Sequence, residues 1–173
     1  MHTMEQVKET SILSIQNSVT SKQAERILYQ KSRLDRVHTQ KKIYYPYYWR
    51  HYHFTFAIQR HKRPFEAHIL VDMINNTASS ADRFNLDTLD VDEDLVIDPD
   101  ISIEKASETA QTYLQHSITT KLKMLFVPRK EIIEEKVIHK PFWLVRCSSR
   151  NQKPFFVIVD ALNGKYQILP CKN

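Results

Sequence analysis

The sequence predicts an α+β fold built from two tandem units, each a helix followed by an antiparallel sheet. Two observations support this prediction. An apolar run that ends in Val-Asp and then an Asn-containing turn occurs twice, at residues 71–76 and again at residues 159–164. An amphipathic segment that contains alanine precedes each run, at residues 18–40 and 103–122. We therefore expect a duplicated α+β unit.

The first unit begins with a helix predicted over residues 18–40, for which Ser21 is a suitable N-cap. Apolar residues recur along this segment at helical spacing, namely Ala24, Ile27, Leu28 and Leu34. Strands are predicted at residues 43–59 and 65–74, because both are rich in aromatic and β-branched residues. The Pro-containing segment 61–64 is predicted to be the turn between them.

The second unit begins at Ser102, the predicted N-cap of a helix over residues 103–122. Its predicted buried face carries Ala106, Ala110, Tyr113 and Leu114. Strands predicted near residues 124–127, 132–138, 142–147, 155–161 and 165–169 then complete an antiparallel meander.

Charge and composition suggest where the units divide. The chain has 173 residues and 42% hydrophobic residues, which is enough for a buried core. Residues 82–100 include eight acidic residues and a single basic one, Arg83. We predict that this stretch is an acidic connector between an N-terminal unit at residues 1–81 and a C-terminal unit at residues 101–173. The EF-hand spacing of its aspartates is incomplete, since Leu95 stands where the loop needs glycine.

The two turns are predicted to be tight hairpins. Asn163-Gly164 between apolar runs is typical of a type I′ turn, and Asn75-Asn76 occupies the same place in the first unit. The aspartates that precede these turns, Asp72 and Asp160, can accept hydrogen bonds from nearby backbone amides. We assign a structural role to all six turn residues, which are Asp72, Asn75, Asn76, Asp160, Asn163 and Gly164.

The second unit resembles a PepSY-type domain. The resemblance is carried by the helix around Lys105-Ala106 and Ala110, the aromatic strand entry Phe142-Trp143, and the closing segment at residues 157–165. That segment is similar to the family's V-D-A-x-T-G-K ending, with Asn163 in place of threonine. Residues 24–78 show the same pattern more faintly. The resemblance implies a non-enzymatic module that binds or inhibits other proteins.

An aromatic and basic stretch at residues 41–63 suggests two kinds of partner. Its aromatic residues would form a protein-binding surface, for which we select Tyr47, Tyr48, Trp49 and Tyr52. Alternatively, bases could stack on the aromatic rings while cations neutralise phosphates, for which the candidates are Lys41, Lys42, Arg50, Arg60, Lys62 and Arg63. A third interpretation is that strand alternation packs these rings inside the protein.

No motif indicates catalysis or a cofactor. Gly164 is the single glycine in the sequence, which excludes glycine-rich nucleotide loops. His51, His53 and His68 could supply three imidazoles to a metal ion, yet no metal-binding motif surrounds them. Neither Cys147 nor Cys171 lies in a catalytic or paired motif. We therefore expect no enzymatic activity, no metal and no cofactor.

The sequence as a whole predicts a cytoplasmic binding or regulatory module without membrane insertion, because no apolar run is long enough to cross a bilayer. Its partner is expected to be another protein or a second copy of the chain in a homodimer. Nucleic-acid binding through the basic residues of the segment 41–63 is the alternative function.

Overall fold

The computed structural model describes residues 8–31, 34–56, 63–120, 128–150 and 152–169. This part of the chain contains two α-helices, one 3₁₀ helix at Glu93–Leu95 and eight β-strands. The helices are α1 (Ser21–Lys31) and α2 (Ile103–Thr120). The strands are β1 (Glu9–Ile15), β2 (Arg36–Thr55), β3 (Phe65–Asp72), β4 (Thr77–Ala81), β5 (Leu86–Asp92), β6 (Arg129–Ser149), β7 (Gln152–Asp160) and β8 (Tyr166–Ile168). The fold is of the α+β class.

Helix α1 begins with a capping box and is much shorter than predicted. The Thr20 hydroxyl accepts from the N–H of Gln23 at 3.3 Å, and the Gln23 side chain accepts from the N–H of Thr20 at 2.8 Å. Thr20, rather than Ser21, is therefore the N-cap. The helix ends at Lys31, and the chain from Arg36 onward forms strand β2, in which Val37 belongs to the same buried cluster as Ala24 and Leu28 of the helix.

Helix α2 begins where the sequence predicts. The Ser102 hydroxyl accepts from the N–H of Lys105 at 3.2 Å, which is N-cap geometry. Its buried face carries Ala106, Ala110 and Leu114, which are at most 3% exposed. The end predicted at residue 122 and the strand predicted at residues 124–127 lie outside the described residues.

Several strands differ from the prediction. The segments 132–138 and 142–147 belong to one continuous strand, β6, which passes through the buried Pro141 without interruption. Strand β1 was not predicted. It pairs antiparallel with β5 along its whole length, from Glu9 opposite Asp92 to Ile15 opposite Leu86. Most of the predicted acidic connector is therefore strand and 3₁₀ helix.

The chain forms two compact units that are not consecutive in sequence. The first unit lies within residues 1–45, 85–97 and 139–173, and the second within residues 46–84 and 98–138. Strands β2 and β6 each contribute one part to each unit. This division differs from the predicted boundaries at residues 81 and 101.

In the first unit, helix α1 packs on the face of β6 and β7. The cluster consists of Ala24, Leu28, Val37, Val145, Cys147, Val157 and Val159. Strand β7 pairs with β6 on one side and with the short strand β8 on the other. Strand β1 pairs with β6 in parallel through Ser14 and His139, which makes this sheet mixed. Cys147 is buried as a free thiol, and burial raises its pKa.

In the second unit, helix α2 covers one face of a sheet with the strand order β4-β3-β2-β6. Its core contains Tyr48, Tyr52, Phe54, Ile69, Val71, Met73, Ala106, Ala110, Leu114 and Ile118. The opposite face of β2 and β3 carries Trp49, His51, Glu66 and His68. Side chains alternate along a strand, so the two faces of β2 have quite different surroundings.

Each helix is anchored at the turn of a hairpin that is distant in sequence. The two N–H groups of residues 18 and 19, just before α1, donate to the carbonyl oxygen of Ala161 at 2.9 and 2.8 Å. The two N–H groups of residues 100 and 101, just before α2, donate to the carbonyl oxygen of Met73 at 3.0 and 3.1 Å. Helix α1 is thus anchored to the β7–β8 hairpin, which follows α2 in sequence. Helix α2 is anchored to the β3–β4 hairpin, which precedes α2.

Candidate functional site

The two Val-Asp turns have matching hydrogen bonds. Asp72 Oδ1 accepts from the N–H of Ile74 at 2.8 Å and of Asn75 at 2.9 Å. Asp160 Oδ1 likewise accepts from the N–H of Leu162 at 2.8 Å. These carboxylates satisfy backbone amides that would otherwise lack partners inside the turns.

The turns are not of type I′. That geometry needs a positive φ at both central residues, yet Asn76 is the sole non-glycine residue with a positive φ in the described chain, at 53°, and Gly164 is at 72°. The second turn is a four-residue loop that ends at Gly164, whose N–H donates to the carbonyl of Asp160 at 2.9 Å. Asn163 precedes the left-handed position and accepts from the N–H of Lys165 through its side chain at 2.9 Å.

The aromatic residues selected as a protein-binding surface are mostly buried. Tyr48 and Tyr52 are each 1% exposed and Trp49 is 6% exposed, while Tyr47 is half-buried. Tyr48 and Tyr52 lie in the core beneath α2, and Trp49 lies on the opposite face of the sheet. These three rings cannot supply an exposed interface, because all three are buried.

Arg50 lies in the interior of the same unit, between two tyrosines. Arg50 is 5% exposed, and its guanidinium donates to the hydroxyls of Tyr48 and Tyr52 and forms an ion pair of 2.7 Å with Glu135. It also donates to Ser107 on α2. A hydrogen bond from Tyr48 holds the pKa of Glu135 below its ordinary value, and the nearby Arg50 acts in the same direction. Arg50 is thus a core residue with no access to a phosphate.

The other basic candidates have different surroundings. Lys41 and Arg63 are exposed. Lys42 is half-buried, with its Nζ 4.7 Å from the centre of the Trp143 ring and 3.3 Å from Asn17 Oδ1. Arg60 and Lys62 lie outside the described residues. The structure therefore does not assemble these six cations into one described surface.

Strand β8 presents an open edge in the first unit. It pairs only with β7 among the described strands, through Ile168 opposite Val157 and Tyr166 opposite Val159. The N–H of Leu169 donates to the carbonyl of Phe156, so the odd-numbered residues of β8 face β7 in the hydrogen-bond ladder. The N–H and C=O groups of Tyr166 and Ile168 therefore point away from β7, toward the open edge.

An apolar groove runs beside this edge, between β8 and the end of α1. It has a volume of about 290 Å³ and is lined chiefly by Leu28, Leu34, Phe155, Val157, Tyr166 and Ile168. Tyr166 is 37% exposed and Ile168 is 58% exposed, which is high for large apolar side chains. We call the open backbone of β8 together with this groove the β8 edge site.

At the corresponding edge of the second unit, one outward backbone group has a partner on the helix. Counting from the aspartate of each turn, Ser80 in β4 corresponds to Ile168 in β8. The outward N–H of Ser80 donates to the hydroxyl of Tyr113 on α2 at 3.1 Å. Lys31 on α1 is as many residues after its N-cap, Thr20, as Tyr113 on α2 is after Ser102. The Nζ atom of Lys31 lies 5.7 Å from the centre of the Tyr166 ring. A lysine cannot accept the strand N–H, so among the described residues α1 offers no counterpart to the hydrogen bond from Ser80 to Tyr113.

A second cluster lies on the outer face of β2 and β3, where His51, Glu66 and His68 come together. Each offers one ligand atom, and these atoms lie within 4.8 Å of one another. Burial lowers the pKa of His68, and the charge of His51 acts in the same direction. These three side chains could hold a metal ion. Sequence reasoning noted both histidines but missed Glu66, because the strand register that places it beside them is not visible in a single sequence.

Comparison with family models, curated proteins and solved structures finds no match to this chain. Neither of the two described helices combines the length and the apolar character needed to cross a membrane.

Proposed function

We propose that this chain is a non-enzymatic binding module that receives an extended segment of a partner protein at the β8 edge site. The observation that carries the proposal is the pair of outward-facing backbone positions, Tyr166 and Ile168, beside an apolar groove. Strand addition to an exposed sheet edge is a common mode of peptide recognition.

The proposed complex uses backbone and side chains for different purposes. The N–H and C=O groups of Tyr166 and Ile168 would pair with an added strand, which supplies affinity without reading the sequence. Alternate side chains of that strand would enter the groove beside Leu28 and Val157, so apolar residues two apart in the partner are favoured. Lys31, exposed at the end of α1, favours an acidic residue near this segment.

Open edges are usually protected in soluble proteins, which supports a functional interpretation of this one. A strand edge with exposed apolar side chains and unpaired backbone groups can pair with another chain. In the second unit Tyr113 on α2 accepts from the outward N–H of Ser80, whereas no described residue of α1 does the same for β8. Both turns have the same hydrogen bond across four residues, and the units differ at the helix residue, which is Tyr113 in α2 and Lys31 in α1.

The two units also support the proposal of a tandem duplication of a PepSY-like module. The turns after β3 and β7 have the same aspartate, the same hydrogen bond across four residues and one left-handed residue each. The strand registers agree as well, since Tyr47 opposite Asp72 corresponds to Phe142 opposite Asp160. This relationship favours a protein-binding role, which is what the PepSY resemblance implies.

Replacing Ile168 with proline should weaken peptide binding about ten- to thirtyfold. Proline removes one outward N–H and one apolar side chain, each contributing about 1 kcal/mol to binding. The internal ladder with β7 is kept, because the N–H of residue 168 does not point toward β7. The probe is a displayed library of random ten-residue peptides, from which binders are selected on the native chain and measured by fluorescence anisotropy.

The matched control is Ile168→Val, which keeps the backbone N–H and should change the affinity by less than about threefold. Unchanged binding by a folded proline variant would overturn the edge site, as would a selection that yields no peptide with alternating apolar residues. A chain that selects no peptide but dimerises in sedimentation, and becomes monomeric with Ile168→Pro, would identify a second copy as the occupant.

Nucleic-acid binding is expected to be weak. With Arg50 buried and Lys42 held against Trp143, the six selected cations do not form a phosphate-binding surface among the described residues. We expect single-stranded DNA and RNA to bind no more tightly than about 10⁻⁴ to 10⁻⁶ M at physiological salt. Submicromolar binding that falls steeply with salt, and that Lys41→Ala with Arg63→Ala abolishes, would favour the alternative function instead.

A further inference from the structure

We propose that His51, Glu66 and His68 form a binding site for a divalent transition-metal ion of the Zn²⁺ type. His51 and His68 are directly opposite each other on β2 and β3, so their side chains lie on the same face. Their rings are stacked with centroids 4.3 Å apart. Glu66 is two residues from His68 along β3 and therefore shares that face.

The distances fit a three-ligand site once the side chains adjust. His51 Nε2 lies 3.2 Å from Glu66 Oε2, and the three ligand atoms are at most 4.8 Å apart. Two tetrahedral ligands that each lie about 2.1 Å from one zinc ion are about 3.4 Å apart. The pair of His51 and Glu66 is already close to this separation, and a longer separation within the cluster must shorten by up to about 1.4 Å, which rotation of the half-exposed Glu66 or of a ring can supply.

An unsatisfied atom marks the centre of the cluster. His51 Nε2 is buried and makes no hydrogen bond, because its contact with Glu66 does not have hydrogen-bond geometry. Buried polar atoms without partners are uncommon in folded proteins. An ion between His51 and Glu66 would give this nitrogen a partner and would neutralise the carboxylate.

The chemistry of the three side chains selects the class of ion. Two imidazoles and one carboxylate form the donor set of catalytic zinc sites, and imidazole also suits Co²⁺, Ni²⁺ and Cu²⁺. Arg50 does not oppose a cation here, because it lies on the other face of β2 and is paired with Glu135. The positive charge of Arg83 contributes to lowering the pKa of His68.

Trp49 makes the site observable. The centroid of its indole ring lies 5.9 Å from the centroid of the His68 ring and 6.2 Å from that of the His51 ring. Its Nε1–H donates to His68 Nδ1 at 3.3 Å. A neutral imidazole has one nitrogen lone pair, which cannot serve both the indole N–H and a metal ion. Ion binding must therefore break the hydrogen bond between Trp49 and His68, and the fluorescence of Trp49 should change.

The test uses the full chain without an affinity tag and with Trp143→Phe, so that Trp49 is the one remaining tryptophan. The metal-free protein is titrated with Co²⁺ while the visible absorption and the Trp49 fluorescence are recorded, and Zn²⁺ is then added as a competitor. We expect one Co²⁺ per chain, quenching of Trp49 and displacement of Co²⁺ by Zn²⁺.

Glu66→Gln and His68→Gln should each weaken Co²⁺ binding at least tenfold, whereas His116→Gln, an exposed histidine on α2, should leave it unchanged. Glu66 is half exposed, so its amide variant should fold normally. Co²⁺ binding that survives both variants, or that leaves the fluorescence of Trp49 unaltered, would overturn the site. Absence of Co²⁺ binding by the folded chain would overturn it as well.

Discussion

Replacing Glu135 with alanine is expected to destabilise the protein by about 2 to 3 kcal/mol. The substitution leaves the guanidinium of Arg50, a residue that is 5% exposed, without its anion and with hydroxyl partners alone. Loss of one partner from a fully buried ion pair costs about 3 to 5 kcal/mol. We expect less here because the Glu135 side chain is 50% exposed, so this ion pair is not fully buried. Urea unfolding followed by circular dichroism measures the change.

Two further variants separate charge from packing. Glu135→Gln keeps the side-chain shape and a hydrogen-bond acceptor, so its cost should be about 1 kcal/mol. The double variant Arg50→Met with Glu135→Leu removes both charges, and it should be more stable than Glu135→Ala by at least about 1 kcal/mol. A double variant less stable than Glu135→Ala would show that the hydrogen bonds of Arg50 to the tyrosines outweigh the cost of its burial.

Replacing Gly164 with valine is expected to destabilise the protein by about 1 to 3 kcal/mol. The φ angle of Gly164 is +72°, in the left-handed region where a β-branched residue is strained. A Cβ atom at this position would also lie 2.7 Å from Ile27 Cδ1 on α1, so the helix side chain would have to move. The free energy of unfolding in urea gives the size of both effects together.

Asn163→Val is the matched control, because it places the same side chain one residue earlier, where φ is not positive. It removes the hydrogen bond from the N–H of Lys165 and should cost about 1 kcal/mol or less. A type I′ turn would make both positions equally sensitive. Equal losses at residues 163 and 164 would thus contradict the observed loop.

Features set by local chemistry were predictable from the sequence. Ser102 caps α2 because a hydroxyl before an amphipathic run bonds the first free amides, and this requires no distant residue. Asp72 and Asp160 bond amides two or three residues away, so the turns were located correctly although their type was not. The α+β class followed from the same periodic patterns.

Features set by strand pairing were not predictable. Strand β1 is stabilised by β5, some 75 residues later. Pro141 lies inside β6, although a proline usually argues against a strand interior. The alternation of β2 placed Tyr48 and Trp49 on opposite faces, but it could not show that both faces are covered.

The candidate sites depended on register for the same reason. Ile168 has an outward N–H because of its position opposite Val157, and Glu66 meets His51 because β2 and β3 align as they do. A single sequence gives the residue types at these positions but does not give the partner strand. A protein-binding surface was therefore predicted in the aromatic stretch, where composition is unusual, whereas the surface that we propose at β8 was not.

Helix α1 is anchored to the β7–β8 hairpin and not to the earlier β3–β4 hairpin, and this affects how the chain can fold during synthesis. The residues before α1 are anchored by the carbonyl of Ala161, which leaves the ribosome about 140 residues later. At a synthesis rate of about 5 to 20 residues per second, α1 waits roughly 7 to 30 s for that anchor. The second unit, whose described parts end by residue 138, is complete earlier than the first. Helix α1 is thus made well before the hairpin that anchors it, and it can dock only after residue 161 has been made.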